Sequence, residues 1–313
     1  MQKQPVISRR RSNQLEAEDK PMASIFETLE ELGVASKATQ EVFASRTRDR
    51  DNVTVYRDSS SGVIYIDGFY GGDEVYEDGA YRQANEALIG KRDYEVMTDA
   101  ARRMAAYRPY VTGKHIVEFG CGDGSFLHAV QNEAQSCCGV ELQDDYVTAL
   151  NANGISCHTS LSALPDNSMD SALSFHVLEH LPEPKPILQE LYRVLKPGGL
   201  LVAEVPHAKD VLLNELKSEA FKAFTLWSQH LVLHTRDSLS RLLASSGYGD
   251  IVIEGVQRYP LSNHLTWLSA GKPGGHKSTL AAIDTPDLQR SYEAALNRID
   301  VTDTLVAIAR KPA

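Results

Sequence analysis

The sequence predicts an α/β fold, a doubly wound, mostly parallel sheet of seven strands, on three observations. Between residues 94 and 206, short apolar runs alternate with amphipathic stretches of helical period. The strand-like runs are apolar almost throughout, as required when helices cover both faces of a sheet. A glycine-rich turn, Glu118 to Gly124, stands between the first of these strands and the helix after it.

Residues 1–21 are polar, carry Arg9, Arg10 and Arg11, and lack the apolar stretch of a secretory signal; they read as a disordered tail. Residues 22–93 form an N-terminal extension. Within it, 22–46 read as one or two short helices with Ile25, Leu29, Leu32 and Val34 on a loose apolar face. Residues 53–56 and 63–66 read as a hairpin across a Ser-rich turn. The aromatic, Gly-rich stretch 69–82, with Tyr76 and Tyr81, reads either as a surface loop or as a cover over a substrate site.

The main domain is assigned to 94–313. A helix at 94–107 leads into a strand at 115–119. Helices at 126–133, 145–153, 186–195 and 236–246 then alternate with strands at 137–141, 155–158, 169–175, 200–205 and 251–256. The seventh strand is 304–309. An insertion at about 258–300, carrying a helix at 286–298, separates the last two strands.

A hydrophobic content of 42% and a charged content of 24% fit a globular chain. The net charge of −10 argues against a nucleic-acid partner, because phosphate binding needs a positive face. No run of about 18 apolar residues is present, so no membrane span is expected. Cys121, Cys137, Cys138 and Cys157 are not spaced as paired zinc ligands. They read as small buried hydrophobes in a reducing cytoplasm, and no metal is expected. A homo-oligomer is compatible with the sequence.

A glycine turn between strand and helix admits a ligand close to the backbone and presents free amide donors. The dinucleotide fingerprint G-x-G-x-x-G would put its third glycine at position 125, which is Ser125. Here the glycines are Gly120, Gly122 and Gly124, preceded by Glu118. This segment resembles motif I of class I S-adenosylmethionine-dependent methyltransferases, and the resemblance implies a Rossmann-like methyltransferase fold. It implies S-adenosyl-L-methionine as cofactor, held by Glu118, Gly120, Cys121 and Gly122. Glu141 and Leu142, at the end of the second strand, would meet the ribose, since a carboxylate accepts from both hydroxyls. Leu161 and Ser162 would contact adenine, although Ser160 stands where the family often has an aspartate. Residues 174–184 and 191–199 also match the family's segments, and place Phe175 and His176 beside the cofactor.

Methyl transfer to a hydroxyl needs alignment and a base near neutral pKa. His207 and His230, and third His180, are the candidates near the carboxyl ends of the strands. In the insertion, Arg258, Lys272 and His276 are basic, Asn263 and His264 offer hydrogen bonds, and Trp267 offers a stacking face. These residues, with Tyr76 and Tyr81, suggest a small and anionic substrate. The insertion resembles C-terminal regions of bacterial methyltransferases acting on sugars or polysaccharide precursors. The expected activity is therefore methyl transfer to a hydroxyl of a sugar or a nucleotide-linked or phosphorylated metabolite. N- or C-methylation, a nicotinamide-dependent oxidoreductase and a non-catalytic cofactor-binding module are the alternatives.

Overall fold

A computed structural model describes residues 24–72, 79 and 93–313. Tyr76 and Tyr81, most of the anticipated cover and the N-terminal tail lie outside the described residues.

The main sheet has seven strands: β4 (His115–Phe119), β5 (Ser136–Val140), β6 (Ser156–His158), β7 (Met169–Phe175), β8 (Leu195–Pro206), β10 (Gly249–Val256) and β11 (Thr304–Arg310). Their spatial order is β10-β11-β8-β7-β4-β5-β6. All neighbours are parallel except β11, which runs antiparallel to both β8 and β10. The doubly wound sheet read from the sequence is therefore present, with the order reversing between β4 and β7.

Side-chain alternation along the strands divides the core in two. Val117, Ala172, Leu201, Ala203, Leu305 and Ala307 face one side, where helices α5 (Pro184–Val194) and α8 (Arg236–Ser245) pack. Ile116, Leu173, Val202 and Val306 face the other, beneath α2 (Asp93–Val111), α3 (Ser125–Val130) and α4 (Asp144–Ala152). In α5, Leu188, Leu191 and Val194 are buried at spacings of one helical turn, and Pro184 starts the helix where no amide bond is lost. A Leu191→Ala change would remove one of these fully buried contacts at about 2–5 kcal/mol.

The N-terminal extension departs from expectation. Among residues 24–72, only α1 (Ile25–Glu31) is an α-helix, closed by Gly33 at φ 67°. Gln40–Ala44 is not helix but strand β1, paired antiparallel with β2 (Val55–Asp58). Strand β2 makes the anticipated hairpin with β3 (Ile64–Ile66). A second sheet, β1-β2-β3-β9, is completed by β9 (Val232–Leu233), which comes from the main domain. This pairing fixes the loop that carries His230. Two further short helices, α6 (Val211–Asn214) and α7 (Glu219–Thr225), follow β8. The insertion folds as α9 (Leu261–Ala270), short 3-10 turns and α10 (Pro286–Arg298). Among the described residues, no helix is long and apolar enough to cross a membrane.

Candidate active site

Two regions meet at the carboxyl ends of the central strands. The first is the turn after β4. Gly120 and Gly122 have φ of 72° and 56°, a left-handed backbone that glycine adopts without strain. A Cβ on Gly120 would lie 2.4 Å from Val177 Cγ2, so this position is closed to any side chain unless the neighbouring loop moves. The Gly122 amide donates to Glu141 Oε2 at 2.8 Å, and the Leu142 amide donates to Glu141 Oε1 at 2.8 Å. The Gln143 amide also donates to Oε1, at 3.2 Å, and Glu141 thus braces the turn.

Glu118 is buried, and its Oε2 has no hydrogen-bond partner. Burial pushes its carboxyl up to about 8, with Arg103 opposing the shift. A buried, unpartnered carboxyl beside a glycine cradle fits a ligand with an ammonium group, as S-adenosylmethionine has. The residues present therefore fit the cofactor: Glu118 for its amino group, the Gly120–Gly122 backbone for its amino-acid part and Glu141 for its ribose.

Other anticipated cofactor residues are placed differently. Cys121 is buried, with its Sγ 3.9 Å from Cys157 Sγ. Leu161 is in the core, Ser162 is exposed and Leu142 is 46% exposed. Ser160 caps the turn at Leu161–Ala163 by accepting from the Ser162 amide. Phe175 is not open to a ligand. It packs edge-on to Phe126 and stacks on Tyr107, with the Arg103 guanidinium 4.3 Å from its ring centre. Phe175 supports the turn from below.

The second region is a cavity of 340 Å³ beyond β7 and β8. His176, Asp210, His230, Arg258, Trp267 and Asp303 are among its walls. His176 connects the two regions. It follows β7 in a left-handed conformation, φ 57°, and the next residue, Val177, abuts Gly120. Arg258 Nη1 donates to His176 Nε2 at 2.8 Å. A guanidinium can only donate, so Nε2 must accept. The proton then sits on Nδ1, which donates to Glu179 Oε1 at 3.1 Å. Burial and the Arg258 charge hold His176 neutral, well below the usual histidine range.

The cations read from the insertion are not arranged as expected. Arg258 is locked in an ion pair with Asp99. Burial alone would raise the Asp99 carboxyl, but Arg258 holds it well below the carboxylate range. Lys277 pairs with Glu95 at 2.6 Å, and His276 bonds Glu95 at 3.2 Å and Asn263 Oδ1 at 3.1 Å. Lys272 is exposed and is not on the cavity wall. His264 is bonded to Tyr292 Oη at 2.6 Å and to Gln257 Nε2 at 3.2 Å, while Trp267 is packed against Phe221 and Phe224. Most of the insertion's basic groups thus answer carboxylates of the same chain.

Of the three candidate bases, His230 lines the cavity. His180 stands behind it, with ring centres 5.0 Å apart. His207 does not join them. It is 1% exposed, is not on the wall of this cavity, and bonds the Thr302 carbonyl through Nδ1 at 2.9 Å, because the β8–β11 junction closes over it.

Sequence reasoning missed a buried charge cluster. Glu204, in β8, receives Arg102 Nη2 and Arg103 Nε at 2.8 Å each, and Tyr107 Oη at 2.5 Å. Burial opposes ionisation of Glu204, but the two arginines hold it at about 2. The signal was a lone carboxylate inside the apolar run 200–205, which demands cations from elsewhere. Asp210, on the cavity wall, was also missed. Burial and the neighbouring Asp303 push it up to about 8.

A model of the methyltransferase domain family matches residues 89–251. The chain belongs to this methyltransferase family. The match sets aside the nicotinamide alternative. This methyltransferase is 27% identical over 223 residues to a probable S-adenosylmethionine-dependent methyltransferase of Mycolicibacterium smegmatis, covering 64% of the chain and 82% of the relative. It is 23% identical over 230 residues to a probable enzyme of the same description from Mycobacterium tuberculosis, covering 65% and 79%. Its fold is similar to the crystal structure of a SAM-dependent methyltransferase from Archaeoglobus fulgidus, with a TM-score of 0.51 and 22% identity over 74% of this chain and 99% of that one.

Proposed function

We propose that the protein methylates a hydroxyl of a small ring-shaped acceptor, a sugar or sugar-like metabolite, held in the cavity beyond β7 and β8. The observation that carries this reading is the place of His230 on the cavity wall. Trp267, Phe221, Phe224 and Tyr259 give that wall aromatic faces, against which the apolar side of a ring packs. Asp210 and Asn263 supply polar edges among them. The volume of 340 Å³ is at the lower end of the range for small-molecule sites.

S-adenosylmethionine, when bound, supplies a methyl carbon activated by a positive sulfur. The chain's task is then to align the acceptor oxygen and deal with its proton. His230 is the side chain set to act on that proton. Because Arg258, His276 and Lys277 already face carboxylates, an uncharged acceptor fits better than a phosphorylated one. The free cysteines suit a reducing compartment, the cytoplasm.

The test is turnover of labelled S-adenosylmethionine with a panel of sugars, sugar nucleotides and phenols. The expected result is methyl transfer to a neutral hydroxylated ring. In His230→Ala, kcat falls by about 10²–10⁴, with S-adenosylhomocysteine affinity unchanged. Full activity in that variant, or no product from any hydroxylated acceptor, sinks the reading.

A further inference from the structure

Glu179, His180 and His230 each bring a ligand atom within 4.8 Å of the other two. The cysteine spacing offered no reason to expect a metal, and this cluster involves no cysteine. Glu179 and His180 lie on the single turn Leu178–His180 after β7. His230 comes from the loop before β9. The Leu231 amide donates to the Glu179 carbonyl at 2.8 Å and pins the two loops together.

The protonation pattern suits ligation. His180 Nδ1 contacts the Gln229 carbonyl at 2.7 Å. A carbonyl only accepts, so Nδ1 carries the proton and the ring's lone pair is on Nε2. Metal-binding histidines are commonly oriented by such a bond from the opposite nitrogen. Glu179 is 0% exposed, and its Oε1 is held by His176 Nδ1 at 3.1 Å. Its Oε2 is buried with no hydrogen-bond partner. A buried carboxylate oxygen of this kind calls for a cation.

We propose that Glu179, His180 and His230 bind a divalent first-row transition-metal ion at the base of the acceptor cavity. Two imidazoles and one carboxylate suit Mn²⁺, Fe²⁺, Co²⁺ or Zn²⁺ and leave coordination positions open, whereas Mg²⁺ prefers oxygen ligands throughout. His230 also lines the cavity, so one ligand of the site reaches the acceptor space. That location gains its meaning from the function proposed above. The ion would hold adjacent oxygens of a hydroxylated ring and polarise one of them. With the ion bound, His230 would serve as its ligand and the ion would take over the activation assigned above to His230: the hydroxyl proton would pass to solvent water, and the oxygen would form the new C–O bond as the C–S bond breaks.

The test is titration of the full chain, stripped with a chelator, with CoCl₂ alone. Binding is followed by visible absorption and calorimetry, with neither acceptor nor cofactor present. One Co²⁺ per chain is expected, with the weak spectrum of a five- or six-coordinate ion, displaced by Zn²⁺. Glu179→Gln and His180→Ala should each weaken binding by about 100-fold. His128→Ala, at an exposed histidine, should leave it unchanged. Near-ultraviolet circular dichroism checks that the variants fold, and the wild-type titration stands without them. The proposal is overturned by an absence of saturable binding in the wild type, or by binding that survives the His180→Ala/His230→Ala double change. Neither result touches the methyl-transfer reading, which its own acceptor panel decides.

Discussion

The Gly122 amide donates to Glu141 Oε2 at 2.8 Å, so the carboxylate at the end of β5 holds the turn that follows β4. The same side chain stands where the cofactor's ribose is proposed to lie. Glu141→Ala should weaken S-adenosylhomocysteine binding by about 10- to 100-fold and lower stability by about 1–3 kcal/mol, because buried amides lose their acceptor. Calorimetric titration and thermal denaturation of the same variant measure the two effects. Loss of affinity without loss of stability would mean that Glu141 does not brace the turn.

Glu118 is held protonated near neutral pH by burial, up to about 8. The unfolded carboxyl ionises near 4.5, so between about 4.5 and 8 the folded state keeps a proton that the unfolded state has lost. Stability contributed by this site therefore falls as pH rises through that window. Glu118→Gln should gain stability relative to wild type from pH 5 to pH 8. A ligand ammonium beside the carboxyl reverses the balance and favours ionisation. Binding of S-adenosylhomocysteine at pH 7 should release a proton in the wild type and not in Glu118→Gln, read by calorimetry in buffers of different ionisation enthalpy.

Arg258 is an internal partner of Asp99 and His176, not an open anion hook. Arg258→Ala should cost about 3–5 kcal/mol by stranding Asp99, and an Asp99→Ala change in the same chain should recover part of it. Lys272→Ala, on the exposed turn, should alter neither stability nor acceptor KM. A KM effect confined to Lys272 would restore the anionic-substrate reading.

His207, His234 and His264 are each held down to about 4 by burial. They are neutral in the fold at pH 7 and contribute no pH dependence above about 6.5. Below that, the unfolded chain takes up protons that the fold refuses. Stability should fall by about 1.4 kcal/mol per pH unit for each histidine between 6.5 and 4. Urea denaturation across this range measures the slope, and His234→Phe, which cannot protonate, should reduce it by about 1.4 kcal/mol per pH unit.

The central sheet was legible because strands covered on both faces are apolar throughout, and because the glycine turn marks where the first strand ends. The surface between the two sheets was not legible. Val42 and Phe43 sit in a short, half-exposed strand whose identity depends on pairing with Tyr56 and its neighbours. Arg258 reads as a free cation in the sequence because its partner Asp99 is 159 positions away. Glu204 was hidden for a similar reason: its arginines come from α2, about a hundred positions earlier. The adjacent Glu179 and His180 are visible in one segment, but their meeting with His230 rests on β9 joining the N-terminal sheet.

Strand β11 lies between β8 and β10, yet it follows both in the chain. On the ribosome, β8 and β10 emerge first, and the segment 257–303 must be made before the strand that joins them. At ordinary translation rates that interval lasts on the order of a few seconds. For that time β8 presents an open, apolar edge in the middle of what will become the sheet, which is the kind of surface that pairs with other nascent chains. Synthesis order therefore sets the period in which this protein most needs a chaperone, and it ends when residues 304–310 can reach the gap.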